Sequence, residues 1–356
     1  MNRAYALAQP GQTVELAAGL YGSQTIAYQA SKGSAGSYVS FQPAPGATVT
    51  INGNLTNRAA WLRVVGLTLT AVLYPAEGGA TAHNIVFDRM HSTNFQIGPG
   101  HDVTLSNSDI GPDPNCGIEN TIGPDGSIPS LVPYNISLVG NYIHDQNGDN
   151  PVSGCHFGGL FLIAGHDMTF ARNTFARNVV YDIQVQNFTG SYGGTPSNVT
   201  IENNWFAGPV EWLPQDTTWD RQPNVQLDCR TGACSYSNWL IRYNSFYAGV
   251  SLAFDGATIL SNVRVVGNIG RSSYGCTPGA TFSRNLWLGD PCGSDLLISS
   301  LPYLNSLLVS PDYHLSGGLA VDLLPGANAD QQLSTDHDGN PRPLGGGYDA
   351  GSDELR

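Results

Sequence analysis

The chain has 356 residues, of which 41% are apolar and only 12% charged, and its formal net charge is −13 at pH 7. That acidity, with Lys32 as the single lysine, excludes a nucleic-acid surface, because phosphate contacts need clustered Lys and Arg. No apolar run is long enough to span a bilayer, and 43 Gly and 22 Pro describe a chain with many turns.

The opening MNRAYALA is too short for a signal peptide. The chain therefore reads as starting in mature or truncated sequence, and a missing signal says little against an extracellular protein. From residue 62 an eight-residue pattern recurs: LRVVGLTL (62–69), IVFDRMHS (85–92), VTLSNSDI (103–110), ISLVGNYI (136–143), MTFARNTF (168–175), VTIENNWF (199–206), WLIRYNSF (239–246), VRVVGNIG (263–270) and ATFSRNLW (280–287). Apolar residues at positions one and three give the period of a strand. Shorter apolar runs, GLFLIAG, DIQVQNF, NVQLDC and GVSLAFD, lie between the copies, and Gly, Asn, Asp and Pro punctuate the gaps.

Position six reads Leu67, Met90, Ser108, Asn141, Asn173, Asn204, Asn244, Asn268 and Asn285. A coil of parallel strands about 4.8 Å apart would stack these residues. Asn suits such a corner for two reasons: it tolerates left-handed backbone, and its amide both donates and accepts in a ladder. The expected fold is all-β, a parallel β-helix solenoid with an Asn ladder. Successive gaps at position six are 23, 18, 33, 32, 31, 40, 24 and 17 residues. The extra length falls in the central coils, where long loops would wall a site. One domain is expected: residues 1–58 as an N-terminal cap with the first coils, 59–290 as the main coils, and 291–356 as a capping segment.

Cys229 with Cys234, and Cys276 with Cys292, bracket short segments, and Cys116 and Cys155 each precede an apolar run. None has zinc spacing, and an even count with plausible local pairs favours an oxidising, extracellular compartment.

The octets, the opening QPGQTVELAAGLYGSQTI (9–26) and the tail DHDGNPRPLGGGYDAGSDE (336–354) together resemble the right-handed parallel β-helix proteins of the pectate-lyase-like superfamily. The tail positions carrying the likeness are Asp338, Gly339, Pro341, Arg342, Pro343, Asp349, Gly351 and Glu354. The resemblance implies the fold; for function it implies lyases, hydrolases, epimerases, esterases or tailspike-like binders alike.

Alternation predicts that Leu160, Leu162, Ile183, Val185, Val225 and Leu227 point inward. Outward residues are then Glu119, Phe161, Asp182, Gln184, Gln186, Gln226, Asp228 and Ser251. Carboxylates in that row suit acid–base work on a sugar chain, and glycosidases place two of them roughly 5–9.5 Å apart. The candidate catalytic residues are Asp182, Asp228, Glu119, Asp145, Asp149 and His156. The candidate substrate-binding residues are Gln184, Gln186, Gln226, Trp212, Trp219, Arg221 and Tyr181, whose rings and amides suit sugars. HDQNGDN (144–150) resembles the start of a calcium loop but lacks the closing Glu, since the residue eleven after Asp145 is His156; calcium is a possible ligand and no other cofactor is expected. The function that results is an extracellular enzyme cleaving glycosidic bonds of a polysaccharide or oligosaccharide, a hydrolase first. A lyase using Arg177, Arg221, Arg230 or a His–Tyr arrangement is second, and a non-catalytic carbohydrate binder or adhesin is third. No nucleic-acid or membrane partner is expected.

Overall fold

The computed structural model describes residues 1–113, 119–124, 131–146, 158–178, 181–186, 194–207, 223–229, 234–247, 250–254, 258–272, 276–309 and 314–355. The strands wind into a coil with three faces. The first face holds eleven parallel strands among the described residues, from Thr13–Leu16 to Ala280–Ser283. The second face is a ladder of short parallel strands that includes His91–Ser92, Asp109–Ile110, Tyr142–His144, Thr174–Ala176, Trp205–Phe206 and Ser245–Phe246. The third includes Val72–Ala76, Asn94–Ile97, Thr121–Ile122, Leu160–Leu162, Ile183–Gln186, Pro223–Asp228 and Val250–Phe254.

The nine octets occupy equivalent places in successive coils. Their first residues pair in unbroken register: Leu62, Ile85, Val103, Ile136, Met168, Val199, Trp239, Val263 and Ala280. All but Ala280 are buried in one continuous core, which also holds Leu160, Leu162, Ile183, Val185, Val225 and Leu227. Phe175, Phe206 and Phe246 stack in that bore with ring centres 5.1 and 4.7 Å apart. Helix Asn2–Leu7 closes the N-terminal end with buried Tyr5, whose hydroxyl donates to the Ala60 carbonyl at 2.6 Å. Lys32 donates to the Ala6 carbonyl and lies over the Tyr5 ring, so the one lysine serves this cap.

The backbone reason given for Asn at position six is corrected. The left-handed residue is position five: Gly66, Arg89, Asn107, Gly140, Arg172, Asn203, Tyr243, Gly267 and Arg284, with φ between 49° and 70°. Many residue types occupy that bend. Position six is set by its amide instead. Asn141, Asn173, Asn204, Asn244 and Asn268 each donate from Nδ2 to the Oδ1 of the next Asn at 2.8–3.0 Å, and Asn285 donates to Asp295. Each Oδ1 also accepts the preceding coil's backbone N–H, as Asn204 does from Asn173 at 2.9 Å. A second row, on exposed left-handed residues, runs from Asn262 through Asn238 and Asn198 to Asp167.

The C-terminal tail folds back along the flank between the first and second faces. Arg342 is its buried anchor. Its guanidinium donates to Glu354 at 2.7 Å, to Asn203 Oδ1 and to three tail carbonyls, and it lies 4.5 Å from the Tyr243 ring centre. Arg242 donates to the carbonyls of Ala329, Asp330 and Gln332, and Gly351 N–H donates to the Gly267 carbonyl. The disulfides Cys229–Cys234 and Cys276–Cys292 are formed; Cys116 and Cys155 lie outside the described residues.

Candidate functional site

The third face carries Phe161, Gln184 and Gln226 from the row expected to point outward, while Ser251, expected there too, is fully buried. Gln96, Thr121, Phe161, Gln184, Gln226 and Ala253 stand in register on successive coils. Their neighbours in the strands fill the bore, so pleating turns this row away from the core. The amides of Gln184 and Gln226 are 3.3 Å apart, the first donating. At the N-terminal end of the row a cavity of about 350 Å³ opens between Tyr74, Glu77, Gln96 and Thr121. Gly98 and Gly123 line it too. A Cβ on either would come within 2.7 Å of the Ala76 carbonyl oxygen or 2.9 Å of Ile163 Cβ, so close wall packing requires glycine there.

The carboxylates of this face differ sharply. Glu119 is partly exposed, and burial pushes its pKa up to about 7. Asp182, expected to face outward, is fully buried. It precedes strand Ile183–Gln186 at the bend between faces, where strand alternation does not apply. Its oxygens accept from the amides of Asn178 at 3.1 Å and Asn224 at 2.8 Å, and burial pushes its pKa up to about 6. Asp228 is 6% exposed, at the end of its strand. Asp182 aligns with Asn224 and Asp228 with Gln186. Four strand positions, about 13 Å, therefore separate the two aspartates, too far for a glycosidase pair. Counting back from the pairs Thr121–Phe161 and Leu160–Ile183 stacks Glu119, Gly159 and Asp182 on three coils. Tyr181, Gln184 and Gln186 are also nearly buried.

A second polar constellation sits on the second face. Asp109 contacts His91 at 3.0 Å and His144 at 2.8 Å. The other nitrogen of His144 bonds Asp145, whose carboxylate accepts a two-pronged contact from Arg177. Arg177 also donates to the Tyr142 hydroxyl at 2.8 Å, and the Tyr142 ring stacks on His144 at 4.1 Å. The guanidinium holds the Asp145 carboxyl below the usual carboxylate range. Both Asp145 oxygens are engaged by Arg177 and His144, and residues 147–150 of the stretch read as the start of a calcium loop lie outside the described residues. His166 lies on another face, stacked on Tyr134. Asp149, His156, Trp212, Trp219 and Arg221 lie outside the described residues.

A family model described as a right handed beta helix region matches residues 70–208. The chain is a right-handed parallel β-helix. Solved structures similar to it include PfbA, a surface adhesin of Streptococcus pneumoniae, at 11% identity over 80% of this chain and 83% of that one, with a TM-score of 0.46. Pectate lyase Pel9A is similar at 14% identity over 99% and 90%, with a TM-score of 0.43. The PL6 family alginate lyase AlyGC is similar at 13% identity over 80% and 49%, with a TM-score of 0.29. No curated protein matches the sequence.

Two parts of this β-helix escaped the sequence reading. Tyr74 and Glu77 belong to one lean coil and Gln96 to the next, so the long gaps did not point to them; the alternation of VLYPA and NFQI was the available signal. His91, Asp109 and Tyr142 are the seventh residues of three octets, so their vertical alignment was present in the repeat itself. Among the described residues no helix is long and apolar enough to cross a membrane.

Proposed function

We propose that the third face binds a linear polysaccharide along the helix axis and that Glu119 is the proton donor in cleaving a glycosidic bond, which makes the protein an extracellular glycoside hydrolase. The supporting observation is the in-register row from Gln96 to Gln226 with the Tyr74–Glu77 cavity at its end. A solenoid offering one side chain per coil matches a polymer offering one sugar per step. Tyr74 supplies a ring for an apolar sugar face, and the half-buried Gln96 and Gln226 supply donors and acceptors. A carboxyl that keeps its proton near neutral pH suits a general acid. The two local disulfides fit an oxidising compartment.

Inverting hydrolysis needs a second carboxylate roughly 6.5–9.5 Å from the first. Asp182, two coils or about 10 Å of backbone from Glu119, stands nearest that separation in the stacked row. A binding-only protein is the second reading, favoured by the occupation of both Asp182 oxygens by amides. The test is incubation with a panel of polysaccharides, followed for reducing ends and for the ultraviolet absorbance of an unsaturated product. Reducing ends alone, lost in Glu119→Gln with binding kept, support the hydrolase. New absorbance means elimination, and binding without either product means a binder.

A further inference from the structure

We infer that the C-terminal tail holds a site for one divalent transition-metal ion, formed by His314, Asp338 and Asp353. The three come from separate stretches: the short strand His314–Leu315, the turn between Asp336 and Pro341, and the final residues around Asp353. One ligand atom from each lies within 4.8 Å of the other two. Nε2 of His314 stands 3.6 Å from Asp338 and Nδ1 stands 3.3 Å from Asp353. One ion would take a single ring nitrogen, and ligands on tetrahedral arms of about 2.1 Å are about 3.4 Å apart, so binding draws the three ligand atoms together from within 4.8 Å. The same side chains open onto a cavity of about 350 Å³ that Asn340 and Glu354 also line. A bound ion would keep open positions toward that space.

Charge points the same way. Two carboxylates face one imidazole, so even a protonated His314 leaves net negative charge beside buried Asp353. The Arg342 guanidinium is committed to Glu354, and Arg172 lies beside Gly339, next to Asp338. The ligands are also braced. Asp353 accepts the Leu315 N–H at 2.8 Å, His314 packs edge-on against Trp205 at 5.2 Å, and Trp205 stacks on His337 at 3.8 Å. An imidazole with two carboxylates suits Zn²⁺ or Mn²⁺ better than Ca²⁺, which prefers a larger set of oxygens. The ion would clamp three stretches of tail over Trp205, independently of any chemistry on the third face.

The test is calorimetric titration of the chelator-treated full chain with Zn²⁺, Mn²⁺ and Ca²⁺, with thermal melting alongside. The expected result is one Zn²⁺ or Mn²⁺ per chain, a raised melting temperature, and affinity reduced about ten-fold or more in Asp338→Asn. Asp338 is exposed, so that variant should melt like the parent without metal. No stoichiometric binding, or binding unchanged in both Asp338→Asn and His314→Ala, overturns the site. A variant that lowers the melting temperature equally with and without metal would show an ion pair only, and would overturn it too.

Discussion

Asn204→Leu removes five hydrogen bonds from the middle of the coil. The Asn204 amide nitrogen donates to Asn244 Oδ1, the Phe170 carbonyl and the Glu202 carbonyl at 2.9–3.0 Å. Its oxygen accepts the backbone N–H and the side-chain amide of Asn173 at 2.9 and 3.0 Å. Leucine leaves at least the Asn173 N–H and the Phe170 carbonyl unpaired in a fully buried place. At about 1–3 kcal/mol for each orphaned group, less the gain from burying an apolar side chain, the expected loss is about 2–4 kcal/mol. The control is Asn238→Gly, on the exposed row at φ 58°, where glycine keeps the backbone and only surface bonds are lost; its expected change is below about 1 kcal/mol. Urea unfolding of both variants, followed by circular dichroism, gives the comparison. Equal midpoints for Asn204→Leu and the parent would refute the claim that buried amides join the coils.

Glu119→Gln should abolish turnover while leaving polysaccharide affinity within about two-fold, checked by reducing-end assay and calorimetry. Turnover by the parent should fall as pH rises through about 7, because the active form of Glu119 is protonated. Stability should follow the same direction. The folded pKa values of Glu119 and Asp182 both stand above the free values, so the stability these two groups contribute is complete below the ordinary carboxylate range and is lost as pH rises through about 6 to 7. The drop is on the order of 3 kcal/mol for each group, and Glu119→Gln should remove about half of the total in unfolding curves between pH 4 and 8. Asp182→Asn should hold or raise stability at about pH 8, because Asn224 Oδ1, buried without a partner, can then turn to accept the new amide; a lowered midpoint would contradict this. Arg342→Ala strands buried Glu354 and should cost about 3–5 kcal/mol, with limited proteolysis releasing the tail.

The repeat was legible because each octet repeats one physical task. Apolar residues at positions one and three fill the bore, so their register could be read by aligning letters, and every aligned pair is a strand pair. The role of Asn was half legible. Its amide chemistry pointed to stacking, but the left-handed bend belongs to position five, where Arg, Tyr, Asn and Gly alternate and leave no consistent signal. The tail motif pointed to a cap. That Arg342 would anchor it against Asn203 and Tyr243, along the flank of the coil, depends on contacts across 139 residues of sequence that no local pattern encodes. At the candidate site, alternation put Gln184 and Gln226 on one side of their strands, and the two pair across adjacent coils. It failed at Asp182, which lies one residue before its strand begins and turns into an amide-lined bend. Arg177, Asp145, His144 and Asp109 come from three different coils, so their convergence required the spacing of the coils as well as the residue types.

The most direct measurement is a crystal structure of Glu119→Gln soaked with an oligosaccharide that the parent cleaves. The predicted result is a sugar chain lying along the helix axis over Gln96, Thr121, Phe161, Gln184 and Gln226, with one glycosidic oxygen at the side chain of residue 119. Sugar bound instead beside Tyr142 and Arg177 on the second face, with the third face bare, would contradict the account.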